Sequence, residues 1–525
     1  MQIYSFSPFG YEGALVSVEV DLRRGIPAVD LVGLADSAVK EARERMQAAV
    51  RNSGFEFPPE RVLIRLSPAD MKKEGAGFDL PIALGVLCAK KVMDSQNYDG
   101  ELKDGSPVLV MGELELSGKV HGVRAVHAAV STALASGITR CIVPLENAQE
   151  AREVCGMKVF GASCLEDAFA AMENPEAFTL RSEEDKKEGK IPEDCEEVDS
   201  VLFQKILPGF EFGEIYGQKK LVRALQIAAA GGHNIMAVGA PGCGKTMSMQ
   251  KFPSLLPSLT LDEAQSVTRI YSLAGLLPSS KASIRHPGFR MPHQTASIEG
   301  MCGGGPHCRP GEISLAHNGV LFLDEAAEFR TSVLQMLRVP LESGRITLAR
   351  AGRSTVFPAD FQLLLAANPC PCGNYGSKSK LCLCSARSIE MYWKKFSAPL
   401  LDRVDLRVCV ENESGNEDRS SVKTSELRKG IAKAVKIQRS RQGKKNSRLS
   451  PSEIQTFCVM DEQAQKALLS GEEKYGFSPR AVASCMKVAR TIADMEGEKI
   501  IGLSHMQEAI DLRKNWNNFI DGQMT

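Results

Sequence analysis

The sequence predicts a multidomain α/β protein, and three observations predict it. Short apolar, β-rich runs alternate with helical stretches in the N-terminal third. Three strand-like apolar runs, spaced by helices and ending in polar residues, occupy a middle block at 201–408. The last block, 409–525, repeats apolar residues at helical spacing.

In residues 1–178, ALVSVEVDL, RVLIRLS, SPVLVMGELEL and TRCIVPL read as strands, and SAVKEARERMQAAVRNSG and AVHAAVSTALASG as helices. That mixture is an α/β or α+β domain. Residues 179–200 read as a charged linker: RSEEDKKEGKIPEDCEEVDS has almost no large apolar side chain. In the middle block NIMAVGA, VLFLDE and FQLLLAANP are buried strands of a parallel sheet with helices on both faces. ENESGNEDRSS, 411–421, reads as a second polar hinge before the helices ELRKGIAKAVKIQRSRQ, DEQAQKALLSGEEKYG, PRAVASCMKVARTIADMEG and LSHMQEAIDLRKNW.

Composition narrows the function classes. The chain has 525 residues, room for three or four domains. Lys+Arg and Asp+Glu are both 64, so a uniformly basic nucleic-acid coat is excluded and any DNA contact is local. Aromatics at 6% argue against a broad stacking surface for single strands. No run approaches a membrane span. The start, MQIYSFSPFG, lacks the pattern of a secretory leader. The 15 cysteines are mostly scattered, the pattern of a reduced, cytoplasmic protein.

The chemistry-bearing motif is Gly239-Ala240-Pro241-Gly242-Cys243-Gly244-Lys245-Thr246, which fits G-x-x-x-x-G-K-[ST] between a strand and a helix. Gly239, Pro241, Gly242, Cys243 and Gly244 would form the nucleotide-binding turn, its glycines letting the backbone wrap the phosphates with N–H groups. Lys245 would neutralise the β- and γ-phosphates of ATP, and Thr246 would ligate Mg²⁺. Asp324 and Glu325 end the next strand: the first would hold Mg²⁺ and the second polarise the attacking water. Asn368, at the end of a third strand, suits a sensor of that water. In Ser397-Ala398-Pro399-Leu400-Leu401-Asp402-Arg403, the Arg is a structural ion pair or an arginine finger on a neighbour's γ-phosphate. Arg480, after Ser478-Pro479 at a helix start, suits a second sensor.

Together GAPGCGKT, VLFLDE, LLLAANPCPCG and LLDRVDL resemble the AAA+ ATPases of the magnesium chelatase-like branch. GQKKLVRALQIAAAGGHN, RPGEISLAHNGVLFLDE and VARTIADMEG look like the ComM/YifB family in particular, and the N-terminal block fits its first domain. The resemblance implies a Lon-protease-like (ChlI-type) first domain, an AAA+ P-loop core with β-hairpin and Cys-rich inserts, and a helical C-terminal lid. It implies a homo-hexameric ring that binds DNA and drives branch migration in homologous recombination, typically of DNA taken up in natural transformation. The chain departs from the family at Arg290-Met291-Pro292-His293-Gln294, where two adjacent His are usual, and before the finger at Tyr392–Pro399. The loop that would carry a protease Ser, Lys73–Asp79, has none, and Arg124 stands where the Lys base would be. An Arg cannot serve as a base, so no peptidase activity is expected.

Cys370, Cys372, Cys382 and Cys384 form two Cys-x-Cys pairs able to close a Cys₄ site for a structural Zn²⁺. Cys302 and Cys308, in MCGGGPHC, offer too few firm ligands. For DNA, residues 341–356 read as a hairpin carrying Arg345, Arg350 and Arg353, which in this branch projects into the ring pore. A basic stripe runs from Lys429 to Arg448. No base-reading motif is visible, so contact is expected to be phosphate-based and sequence-independent. Two other readings are open: the ATPase subunit of a magnesium chelatase, and a protein-remodelling chaperone.

Overall fold

The computed structural model describes residues 2–33, 37–68, 73, 76–94, 106–180, 192–278, 282–305, 308–350, 353–376, 380–411 and 421–514. The N-terminal block builds a seven-stranded mixed sheet, in the order Val29–Val32, Arg61–Ser67, Ala14–Arg23, Ile3–Ser7, Val108–Val110, Arg140–Pro144, Lys158–Ala162. The four strands expected from apolar runs are all present, with helices at Ser37–Asn52 and Val126–Ala135. Helix Asp79–Asp94 buries every residue from Asp79 to Leu87, among them Leu80, Ile82 and Leu84. Lys73, in the loop lacking a Ser, is buried and donates to Pro68 O, and Asp79 is held by Arg45 at 2.9 Å. These groups serve the fold of the loop.

The middle block forms a five-stranded sheet in the order Phe289–Arg290, Val320–Leu323, Gln362–Ala367, Ile235–Gly239, Leu406–Val410. All four pairings are parallel. The three inner strands are buried at every residue, which is why they read as unbroken apolar runs. Parallel pairing brings the C-terminal ends of Ile235–Gly239, Val320–Leu323 and Gln362–Ala367 to one edge, the place where open α/β sheets bind ligands.

Helices Thr424–Arg441, Glu462–Tyr475, Pro479–Glu496 and Leu503–Arg513 follow, as the periodicity predicts. Buried Asp494 anchors them: it accepts from Arg490 Nε at 3.0 Å, Arg441 Nη1 at 2.7 Å and Asn446 Nδ2 at 2.8 Å. A buried carboxylate needs such partners, because desolvation penalises an unpaired charge.

Two readings are corrected. The stretch 179–200 is not all linker: Cys195–Val198 pairs antiparallel with Val201–Gln204. Its apolar Cys195 and Val198, three positions apart, were too few to outweigh the surrounding charge. Residues 181–191 lie outside the described residues. The boundary at 408 cuts a core strand that runs to Val410, and most of the hinge at 411–421 lies outside the described residues. Part of the basic stripe is tied down: Arg441 binds Asp494, Lys444 binds Glu453, Arg448 binds Asp360 and Arg439 donates to Ser258 O, while Lys429, Lys433 and Lys436 are exposed.

The N-terminal sheet docks on the core along the hairpin strand Arg353–Pro358. Tyr11 N donates to Thr355 Oγ1 at 3.1 Å, and Arg269 Nε to Tyr11 O at 3.0 Å. A Cβ on Gly10 would sit 1.8 Å from Thr355 Oγ1, so the contact demands Gly. Ser272 Oγ donates to Glu150 Oε1 at 2.5 Å across the same seam.

Candidate functional site

The Gly-rich turn lies where strand Ile235–Gly239 passes into helix Lys245–Gln250. Gly239 is required by crowding: a Cβ there would meet Val410 O at 2.2 Å. Gly244, the N-cap, has φ 83, a conformation that disfavours other residues. Around Gly242 and Gly244 the space a Cβ would take is open, which leaves room for phosphate oxygens against the backbone.

Lys245 is 7% exposed and donates to Gly239 O at 2.6 Å and Ala240 O at 2.8 Å. It also reaches Asn368 Oδ1 at 3.4 Å. Thr246 Oγ1 lies 3.1 Å from Asp324 Oδ1, which accepts in turn from Glu325 N at 2.9 Å. The structure thus joins Lys245, Thr246, Asp324, Glu325 and Asn368 at one sheet edge, although 123 positions separate Lys245 from Asn368. Glu325 is exposed and adopts φ 46, ψ 48. A left-handed Glu is costly and is found where a side chain must be aimed.

Sequence reasoning missed Gln294. Its Nε2 donates to Glu325 Oε2 at 2.5 Å. The signal was the departure at His293-Gln294 from the family's two adjacent His. The same segment is fixed by Arg290, which binds Glu312 through both nitrogens at 2.7 Å.

Arg403 and Arg480 are brought together elsewhere, on Glu342. Arg480 Nη2 is 2.7 Å from Glu342 Oε1, and Arg403 Nη2 pairs with Oε2. The two guanidiniums hold the Glu342 carboxyl below its usual range. Arg403 O accepts from Asn234 Nδ2 at 2.9 Å, just before strand Ile235–Gly239, whereas Lys245 lies beyond that strand's other end. A five-residue strand spans about 17 Å, so neither Arg touches its own phosphate turn.

The cysteine quartet is assembled. Cys370 Sγ lies 3.4 Å from Cys372 Sγ and 3.7 Å from Cys382 Sγ, and Cys372 lies 3.6 Å from Cys382. Cys384 joins them within 4.8 Å. Four sulfurs at ~2.3 Å from one Zn²⁺ stand about 3.8 Å apart, so the set fits a tetrahedral ion. The Asn374 backbone N–H, with help from the neighbouring thiols, lowers Cys372 to about 6. The loop packs on the phosphate turn: a Cβ on Gly373 would meet Pro241 Cδ at 2.5 Å.

The hairpin is present as Arg345–Arg350 paired with Arg353–Pro358, closed by Arg350 opposite Arg353. Arg345 is exposed; the side chains of Arg350 and Arg353, and residues 351–352, lie outside the described residues. Cys302 contacts Met336 Sδ at 3.1 Å, while His307 lies outside the described residues. Among the described residues no helix is long and apolar enough to cross a membrane.

Comparison with known proteins agrees with this geometry. The family described as magnesium chelatase, subunit ChlI, matches residues 211–418; subunit ChlI of Mg-chelatase matches 18–147, and its C-terminal family 421–513. Competence protein ComM of Haemophilus influenzae is 37% identical over 97% of both chains. The protein YifB of Salmonella typhimurium is 36% identical over 97% of this chain and 96% of its own. The magnesium-chelatase subunit ChlI of Porphyra purpurea is 26% identical over 32% of this chain and 53% of its own.

Proposed function

Because the chain belongs to the ComM/YifB family of magnesium chelatase-like AAA+ ATPases, we propose that it hydrolyses ATP with Mg²⁺ to drive a ring motor on DNA. The motor promotes branch migration during homologous recombination, in the setting that the name of the Haemophilus competence protein indicates. The observation that carries the reading is the convergence of Lys245, Thr246, Asp324, Glu325 and Asn368 at one sheet edge.

In this reading Lys245 Nζ leaves the carbonyls of Gly239 and Ala240 for the β- and γ-phosphates. Thr246 and Asp324 share the Mg²⁺, which neutralises phosphate charge. Glu325 polarises the water, and Asn368 orients it and reports the γ-phosphate through Lys245. Arg403 and Arg480, a strand length from their own phosphate turn, serve the neighbouring subunit's ATP; Glu342 parks them until that site fills. This supports a homo-hexameric ring with composite sites. The Lon-like fold of the first domain, without a peptidase dyad, and the lid role of the last helices belong to the same reading.

The Cys370–Cys384 quartet holds a structural Zn²⁺ that shapes the loop between Asn368 and Pro241. Arg345, with Arg350 and Arg353 at the hairpin tip, contacts DNA phosphates without reading sequence. The chelatase reading is disfavoured because likeness to ChlI of Porphyra covers 32% of the chain, against 97% for ComM. ATP turnover with unfolded protein in place of DNA tests the chaperone reading: stimulation by protein alone would replace the DNA assignment.

A further inference from the structure

Away from the phosphate edge, one cluster of ligand-type side chains lies where the hairpin starting at Cys195 meets the core. Asp194, Cys195 and His286 bring an oxygen, a sulfur and a nitrogen within 4.8 Å of one another. Cys195 Sγ is 3.6 Å from Asp194 Oδ1 and 4.0 Å from His286 Nε2. His286 Nε2 is 3.0 Å from Asp194 Oδ2. Ligand atoms ~2.0–2.3 Å from a tetrahedral Zn²⁺ stand about 3.3–3.8 Å apart, so side-chain shifts of up to about an ångström, with one Asp194 oxygen turned to the ion, close this set.

A second observation concerns the far side of the imidazole. His286 Nδ1 faces Ser258 Oγ at 3.2 Å. Ser258 is itself fixed, with its N–H on Leu202 O at 2.7 Å and its carbonyl accepting from Arg439 Nη2 at 3.1 Å. A metal-bound His needs such an outer partner: with Nδ1–H donated to Ser258, Nε2 presents a lone pair. Cys195 is buried, so its sulfur is shielded by the fold. Asp194 and His286 also line a cavity of about 380 Å³, shared with Gln149, Glu153 and Tyr271, which has room for a water as fourth ligand.

We propose that Asp194, Cys195 and His286 form a second zinc site, with water in the fourth position. The ion pins the hairpin that leaves the 179–191 connection to the loop entering the core strand at Phe289. Binding exchanges the Cys195 thiol proton, released to solvent, for a sulfur–zinc bond. The site stands independently of the DNA reading and of the cysteine quartet.

The test uses the full chain with Cys370→Ser and Cys372→Ser, which removes the quartet as a competing site. Zinc per chain is measured by mass spectrometry after desalting. One equivalent is expected to remain, and to disappear on adding Cys195→Ser or His286→Ala. If a third substitution prevents folding, Co²⁺ added to the metal-free double variant should give a thiolate-to-cobalt charge-transfer band. A double variant that holds no zinc and gives no such band would overturn the site. So would zinc content unmoved by both Cys195→Ser and His286→Ala in folded protein.

Discussion

Gln294 holds Glu325: the amide Nε2 lies 2.5 Å from carboxylate Oε2, with Glu325 in a left-handed backbone conformation. A carboxylate bound to an amide donor is a weaker acceptor for a water proton. If Glu325 polarises the attacking water as proposed, this bond occupies one of its two oxygens, and Gln294 would act as a latch on ATP turnover. A hydrogen bond to a charged group contributes about 1.5–3 kcal/mol, less at an exposed site. Gln294→Ala should raise ATP turnover without DNA roughly two- to tenfold. It should also shrink stimulation by DNA, since the latch is already open. Steady-state ATPase assays check both.

Lys245→Ala and Glu325→Gln should each lower turnover by about 10²-fold or more. They should differ in binding: the first loses ATP and the second retains it. Filter binding of labelled ATP separates them. Wild-type turnover by Glu325→Gln would remove it from its assigned role.

Arg403→Ala should abolish hydrolysis by homogeneous rings while leaving ATP binding intact. Mixing with Lys245→Ala subunits restores sites that combine an intact phosphate turn with an intact finger, so activity should return. The distance from Arg403 to its own Lys245, about one five-residue strand, predicts this complementation. Mixtures as inactive as either parent would place Arg403 outside a neighbour's site.

Breaking the quartet with Cys372→Ser should release zinc and loosen the loop that packs Gly373 on Pro241. The expected result is weaker ATP binding with the sheet core still folded. Circular dichroism and nucleotide titration measure the two effects.

His127 is 2% exposed, and neither ring nitrogen has a hydrogen-bond partner. Burial, reinforced by the nearby Arg269 charge, lowers its pKa to about 4. His317 is likewise lowered to about 4, by burial. A His whose folded pKa is depressed stays neutral in the fold while the unfolded chain takes up a proton. Stability is therefore full above pH ~6.5 and falls as pH drops towards 4, by roughly 3 kcal/mol per His. His127→Phe should flatten part of that fall in denaturant titrations across this range.

Much of the phosphate site was legible because its parts are local. The Gly-rich turn is contiguous from Gly239 to Thr246, and the strands ending at Leu323 and Ala367 are buried on both faces, so they read as apolar runs. What was hidden depends on tertiary approach. Glu342 gathers Arg403 and Arg480 from 61 and 138 positions away. Gln294 reaches Glu325 across 31 positions. The strand Phe289–Arg290 is two residues long, too short for any period to show. The basic stripe is legible only in part for a related reason: spacing reveals which residues share a helix face, but not that Arg441 and Arg448 pair with Asp494 and Asp360.

In the proposed function ATP hydrolysis is coupled to DNA through phosphate contacts. The direct measurement is the ATPase rate of the full-length protein with and without Holliday-junction DNA, across a salt series. The account predicts stimulation at low salt that fades steeply as salt rises, with Arg345→Ala and Arg353→Ala reducing it for every DNA sequence alike. A rate that DNA leaves unchanged at every salt concentration would contradict it.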